Sequence, residues 1–470
     1  MVRFMGKCAH LVDDLCNALW SVEREYALLD FEVDGVKVWQ YMRMPLYYHV
    51  AERAGIFLAP HVEKDSRLSR LVKAGKYLIG ALFHNPFLRR GKVEQIVIEH
   101  PRSVQLAGEA VDIYSCFHVR ELRRQGISYL CLDRAELGAG HRKARDPARS
   151  FIDIFPVLVK LVGLFRRTHL RDEQRATLKA VSERLSAQFG VPLDLEALLV
   201  PAVLKFKVNY QLYRTLFQRL QPKRLMVVVS YAYGDAIKAA KDLGIETVEI
   251  QHGTFSRYHM GYSYPGCTRR LEYFPDSFLA WGRFWRDMGV LPLPPEAVQV
   301  SGFPYFNGLK DSCASVVRND KRVVVLSQGA LGSKIADQVY ALRDALSDFE
   351  IVYKLHPGEF ARWQDYESLR KLAEQPNVRI AKQENLYELL AGAGYQIGVF
   401  STAVYEGIGF GCRTLLLDLP GVEYMVDLVD QGLASLVRDP QELRLAMAQQ
   451  AQTDRFDPVA VFGPAQGSPL

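Results

Sequence analysis

Between residues 323 and 418 the chain alternates short apolar runs with stretches of helical period, and few folds accept that rhythm. The runs fall at 323–327, 350–355, 377–381, 395–400 and 413–418, separated by helical patterns of about ten residues or more. Such alternation is the signature of a doubly wound parallel sheet. The first half repeats it more loosely, with strands expected at 95–99, 127–132, 225–229, 247–250, 278–282 and 298–304. Asp235 to Leu243 reads as a crossover helix closed by Gly244. A chain of 470 residues exceeds what one core usually serves. The expected architecture is therefore α/β: two Rossmann-type doubly wound parallel-sheet domains facing a cleft, preceded by an N-terminal helical region.

The expected boundaries are 1–92 for the helical and basic region and 93–310 for the first Rossmann-like domain, with a long helical insert. The second Rossmann-like domain takes 311–455, and 456–470 form a weakly structured tail. The polar stretch 308–321 reads as a linker, and the apolar run 151–165, broken by Asp153 and Lys160, as a core helix.

Composition narrows the function classes. With 49% hydrophobic and 24% charged residues the chain is an ordinary globular protein. A net charge of +6 with no recognisable nucleic-acid module argues against nucleic acid as a partner. No run reaches the roughly 18 uncharged residues of a membrane span, and the N-terminus has no signal-peptide core, so a cytoplasmic location is expected. Seven scattered cysteines without a CxxC pair read as reduced thiols, not a disulfide frame or zinc site. Neither half carries GxGxxG after its first strand, because Gly392-Ala393-Gly394 precedes a strand, and GxxxxGK[ST] is missing. Dinucleotide dehydrogenases and P-loop enzymes are thus disfavoured. No DxD pattern stands out, so metal-independent chemistry without a cofactor is expected. Lys64, Arg67, Arg70, Lys73, Lys76, Arg89, Arg90 and Lys92 surround Leu71, Tyr77, Leu78, Ile79, Leu82 and Phe83. Segment 64–92 is either a peripheral contact with an anionic inner-membrane surface or a solvated helix face.

The residues that carry chemistry sit at strand ends. Tyr353-Lys354-Leu355-His356-Pro357 is a strand stopped by proline, delivering His356 to the carboxyl edge. The later run ends in Phe400-Ser401-Thr402-Ala403, two hydroxyls opening a helix, with Glu406 one turn deeper. Ligands of open parallel sheets bind outside the carboxyl ends of strands, and phosphate favours the unpaired N–H groups of a helix start. Ser401 and Thr402 are phosphate contacts or mere caps, and Glu406 a ribose ligand or a solvated residue. Lys354 shares a strand face with His356, and Gln328-Gly329-Ala330 ends the first strand of the second domain, where a short loop would cover a diphosphate or sugar.

In the first half, Gln251-His252-Gly253 opens a loop with Thr254, Ser256, Arg257, Tyr258, His259, Tyr262 and Tyr264, where a glycine admits close approach of a ligand. Asp235 follows Ser230-Tyr231-Ala232-Tyr233-Gly234 and is either a helix-dipole charge or a catalytic carboxylate. His100 and Arg102 end the first strand and are expected to meet acceptor or sugar, along with Gln251 and Gly253.

Three of these pieces, Glu249-Ile250-Gln251-His252-Gly253, Tyr353 to Pro357 and Phe400 to Glu406, resemble the GT-B-fold glycosyltransferases of bacterial surface polysaccharide synthesis. The likeness covers about 220 to 420 and is nearest the capsule and lipopolysaccharide enzymes, including Kdo- and sialic-acid transferases, and the CDP-glycerol polymerases of wall teichoic acid. Ser401-Thr402 departs from the two serines of many relatives. The resemblance implies a CMP-sugar donor held by Lys354, His356, Pro357, Ser401, Thr402, Glu406, Gln328 and Gly329, and a glycan or lipid-linked glycan acceptor. For an inverting transfer His252 is the first candidate base and Asp235 the second; for a retaining one Asp235 would be the nucleophile. A CDP-glycerol or UDP-sugar donor, and a non-catalytic scaffold of polysaccharide assembly, are the competing readings.

Overall fold

The computed structural model describes residues 12–56, 75, 79, 82–101, 103–106, 108–134, 147–267, 269–329, 331–448 and 458–463. Two parallel sheets organise them. The first comes from β1 (Gln95–Ile98), the hairpin β2 (Val104–Leu106) and β3 (Glu109–Val111), β4 (Tyr129–Asp133), β5 (Arg149–Phe151), β6 (Arg224–Val227), β7 (Glu246–Ile250), β8 (Ser277–Ala280) and β9 (Val298–Val300). Its order is β5-β4-β1-β6-β7-β8-β9, with the hairpin set apart. The second comes from β10 (Asn319–Leu326), β11 (Glu350–Lys354), β12 (Val378–Ala381), β13 (Ala393–Gly398), β14 (Arg413–Leu417) and β15 (Ser435–Val437). Its order is β12-β11-β10-β13-β14-β15.

The central strands are the apolar runs of the sequence. Val323, Val324 and Val325 of β10 are fully buried, pairing with β11 on one side and β13 on the other. Every contact between neighbouring strands of the two sheets is parallel, as expected from the intervening helices. In each sheet the chain winds outward one way and then returns to the other side of its first strand. The order reverses between β1 and β6, and again between β10 and β13. Those reversals leave a crevice at the carboxyl edge of each sheet.

The helices Val12–Glu25 and Val38–Arg53 share one core with Asp172–Phe189 and Leu195–Leu220 of the long insert. This layer reaches the cleft through Arg43, whose guanidinium is buried against Glu23 at 2.6 Å and donates to the carbonyls of Met260 and Ser263. Losing either partner would leave a buried charge uncompensated, at a cost of about 3–5 kcal/mol.

Both carboxyl edges border one seam. Arg257, after β7, pairs with Asp427 and Asp430, after β14. The Tyr47 hydroxyl meets that of Tyr424, and the Val12 N–H donates to Glu423 at 3.2 Å.

Three expectations are corrected. The stretch 308–321 is not a linker throughout, because Pro304–Ser312 is a helix with Phe306 in the core and β10 begins at Asn319. The tail is structured at Pro458–Phe462, where buried Val461 and Phe462 fill the seam and Trp285 donates to the Val461 carbonyl at 2.8 Å. The run 151–165 does form a helix, Ile154–Gly163, yet Phe155 is its one buried residue. It follows the edge strand β5 and packs on Leu195–Leu220, and its Val157 and Leu161 are left exposed. Arg102, Ala330, Lys64, Arg67, Arg70, Lys73 and Lys76 lie outside the described residues. Among the described residues no helix is long and apolar enough to cross a membrane.

Candidate active site

At the reversal of the second sheet, three strand ends converge. β11 runs through Leu355 into His356, which caps a short turn of 3-10 helix, Pro357–Glu359. Its Nδ1 accepts from the Gly358 N–H at 3.1 Å, and its own N–H donates to Glu359 at 2.9 Å. Glu359 is fully buried and its other oxygen accepts from the Ser327 hydroxyl at 3.0 Å, tying the end of β10 to the end of β11. Gly332 is required beside it, since a Cβ there would lie 1.6 Å from the carboxylate. Gly329 lies against the His356 ring, with room for a Cβ only 3.1 Å from Nδ1. Arg362 donates to the Gly329 carbonyl at 2.9 Å, and its buried Nε has no partner among the described residues.

Gln328 spans the reversal itself. Its amide donates to the Phe400 carbonyl and accepts from the Phe400 N–H at 3.2 Å, fastening β10 to the end of β13. Ser401 then takes the N-cap position of the helix Thr402–Gly409 in extended conformation, with no capping bond from its hydroxyl. A helix start presents N–H groups without intrahelical partners and a partial positive charge. Half-buried Ser401, Thr402 and Ala403 line it. Glu406 is buried and accepts from the Tyr387 hydroxyl at 3.0 Å. Lys354 is drawn outward, donating to the Lys382 carbonyl beyond β12.

Across the seam, the reversal of the first sheet holds a ring cluster. His252, following β7, lies 6.1 Å from the His100 ring in stacked orientation, and Tyr114 meets both edge-on at 5.4 and 6.2 Å. His100 is fixed through its N–H to Asp112 Oδ2 at 3.0 Å, which also accepts from the Ser115 hydroxyl, while Oδ1 accepts from the Tyr114 N–H. The His252 Nδ1 is 3.1 Å from the Tyr262 hydroxyl, and its Nε2 is 3.4 Å from that of Tyr231. Tyr262 in turn donates to Glu249, which also accepts from the Ser230 N–H at 3.0 Å. With the Tyr262 hydroxyl donating to Glu249, the phenol oxygen accepts from Nδ1–H of His252. The lone pair of His252 is then on Nε2.

Burial, with His100 and His259 alongside, holds His252 down to about 3, so the ring is uncharged at neutral pH. Glu249 moves the other way: full burial pushes it up to about 7 against the hydrogen bonds from Ser230 and Tyr262. The folded chain therefore keeps a proton that the unfolded chain has released. The stability contributed by Glu249 is present below the ordinary value of 4.5 and falls as pH rises from there to about 7. Glu423, also raised to about 7 by burial, has the same sign. Glu249→Gln should shrink the stability difference between about pH 5 and about pH 8 by roughly 2–3 kcal/mol relative to the unaltered chain, read by urea unfolding. An identical pH dependence in the two proteins would contradict this.

The remaining candidates divide plainly. Gln251 spends its amide on the Gly253 carbonyl at 2.9 Å and the Trp281 N–H at 2.8 Å, so it holds the loop. Gly253 has open space where a Cβ would project. Asp235 is buried in the helical layer, accepting from Tyr41 at 3.1 Å and Asn209 at 2.8 Å, with burial raising its carboxyl above the usual range. Sequence reasoning named Tyr262 only as a member of the loop and missed Glu249 as a site residue, Tyr231, Tyr114, Glu359 and Arg362. Glu359 alone had a local signal, the capping-box spacing from His356.

No protein-family model matches the sequence. No curated protein matches it. Among solved structures, the UDP-GlcNAc 2-epimerase of Methanocaldococcus jannaschii is similar at 11% identity and TM-score 0.46, over 80% of this chain and 96% of that one. The Neisseria meningitidis UDP-GlcNAc 2-epimerase bound to UDP-GlcNAc is similar at 14% and 0.46, over 80% and 97%. A glycotransferase of kitacinnamycin is similar at 14% and 0.41, over 78% and 93%.

Proposed function

We propose that the chain is a glycosyltransferase moving a Kdo- or sialic-acid-like sugar from a CMP-activated donor to a bacterial surface glycan, free or lipid-linked. The observation that carries this reading is the pairing of two carboxyl-edge crevices across one seam. One is suited to a phosphate and the other holds an oriented, neutral histidine. In the second sheet the helix start at Ser401 and Thr402, with His356 and Arg362 beside the Gly329 turn, takes the donor phosphate. Glu406, which accepts from the Tyr387 hydroxyl, is the ribose partner.

In the transfer, Nε2 of His252 accepts the proton of the acceptor hydroxyl as its oxygen bonds the anomeric carbon. The bond from that carbon to the donor phosphate oxygen breaks, and CMP leaves with the electron pair. The leaving phosphate is neutralised by the helix start, His356 and Arg362. The bonds of Asp235 to Tyr41 and Asn209 support His252 over Asp235 as the base, and give Asp235 a structural task.

His356→Ala is expected to weaken CMP binding about ten- to a hundredfold, the usual worth of a hydrogen bond to a charged group. Calorimetry showing undiminished CMP affinity would remove His356 from the donor site. A thermal-shift panel of CMP, CDP, UDP and GDP separates the donors. A shift confined to CDP or UDP transfers the proposal to CDP-glycerol or a UDP-sugar, and no shift with any nucleotide favours the scaffold.

A further inference from the structure

The helix Ile154–Gly163 and the turn that follows it turn an apolar face outward. Phe165 is 87% and Leu164 74% exposed, with Leu161 and Val157 on the same element. The segment before β1 extends this surface, with Phe83 at 70% and Leu88 also exposed. The two pieces adjoin: the Phe151 N–H donates to the His84 carbonyl at 2.8 Å, and the Phe87 and Phe155 rings stack at 6.2 Å. Singly exposed apolar residues need no explanation, but a contiguous group rimmed by one sign of charge does. Here the rim is basic. Lys160, Arg166, Arg167, Arg90 and Lys92 are all exposed. No acidic residue occurs between Asp153 and Asp172, or from 82 to 93.

We propose that this surface docks the protein on an anionic phospholipid bilayer, with Leu164 and Phe165 entering the boundary between headgroups and acyl chains. An apolar face with a cationic border is the arrangement such an interface selects. The charge decides between this occupant and a second copy of the chain. An isologous dimer would set the same basic rim against itself, whereas anionic headgroups oppose it. The surface lies in the first domain, on the helix that leaves the edge strand β5, and its assignment does not rest on the reaction or donor proposed above.

The test is flotation of the full chain with vesicles of phosphatidylglycerol and phosphatidylethanolamine, against vesicles of phosphatidylcholine alone. The unaltered protein is expected to float with the anionic vesicles, and less so at about 0.5 M salt, where exposed charges are screened. Leu164→Glu combined with Phe165→Glu, at positions too exposed to affect folding, should reduce partitioning about a hundredfold, roughly tenfold for each side chain withheld from the bilayer. Arg166→Glu with Arg167→Glu should abolish the preference for anionic lipid. No flotation of the unaltered protein, or flotation indifferent to the first pair, overturns the proposal. So does a lipid-free dimer that the first pair dissolves without any vesicle binding, which would give the surface to a second copy.

Discussion

His252→Ala is expected to lower kcat by about 10²–10⁴-fold, the range of a positioned general base, with CMP affinity changed less than about twofold. The expectation rests on orientation. The Tyr262 hydroxyl donates to Glu249, its oxygen accepts from Nδ1–H, and Nε2 is left as the only basic atom of the ring. Burial keeps His252 neutral across the working range, so it is always in the form that accepts a proton. The crevice proposed for the donor is built from other strand ends, Ser327 to Gly329, His356 and Ser401, held by bonds to Glu359, Gly358 and Phe400. Tyr262→Phe offers a graded control, because it removes the acceptor of Nδ1–H while keeping the ring packing. A smaller fall in kcat with unchanged CMP affinity is expected there. If His252→Ala turned over at the ordinary rate, the base would have to be sought elsewhere in the cleft.

The strands were readable because a buried parallel strand must be apolar along its whole length, and the runs at 350–355 and 413–418 correspond to β11 and β14 to within a residue. Strand ends were readable for the same reason: a polar residue after such a run, like His356 or Ser401, can only lie at the edge. What could not be read was which polar residues meet across the fold. Glu249 lies inside β7, where alternation predicts a buried side chain and says nothing of Tyr262 thirteen residues on. Asp235 looked like a residue of the cleft because it follows a strand-end loop. It turns instead toward Tyr41 and Asn209, partners 194 and 26 residues away that periodicity cannot supply. The helix 154–163 misled through composition, since an apolar run at a sheet edge need not be covered. Arg43 had no signal at all, though it fixes the loop that carries Tyr262.

Ser401→Asp separates the two tasks a residue at a helix start can perform. If Ser401 is a cap and nothing more, aspartate is at least as good a cap, and its charge opposes the helix dipole favourably by about 0.3–1 kcal/mol. Folding stability should then hold or rise slightly, and the present hydroxyl, which makes no capping bond, gives up nothing. If phosphate sits there, the new carboxylate stands against it. Two unit charges about 4 Å apart repel by about 4 kcal/mol near a protein surface, far beyond what the helix start gains. Nucleotide affinity should therefore fall at least about a hundredfold while the melting temperature is unchanged or higher. Ser401→Ala, which removes the hydroxyl but leaves the N–H groups, should lose only about tenfold or less. Cytidine without phosphate should bind both variants as it binds the unaltered chain, because the repulsion acts on the phosphate alone. Equal CMP affinity for Ser401→Asp and the unaltered chain would mean that the helix start is capped, not occupied, and the donor phosphate would then have to rest on His356 and Arg362 beside the Gly329 turn.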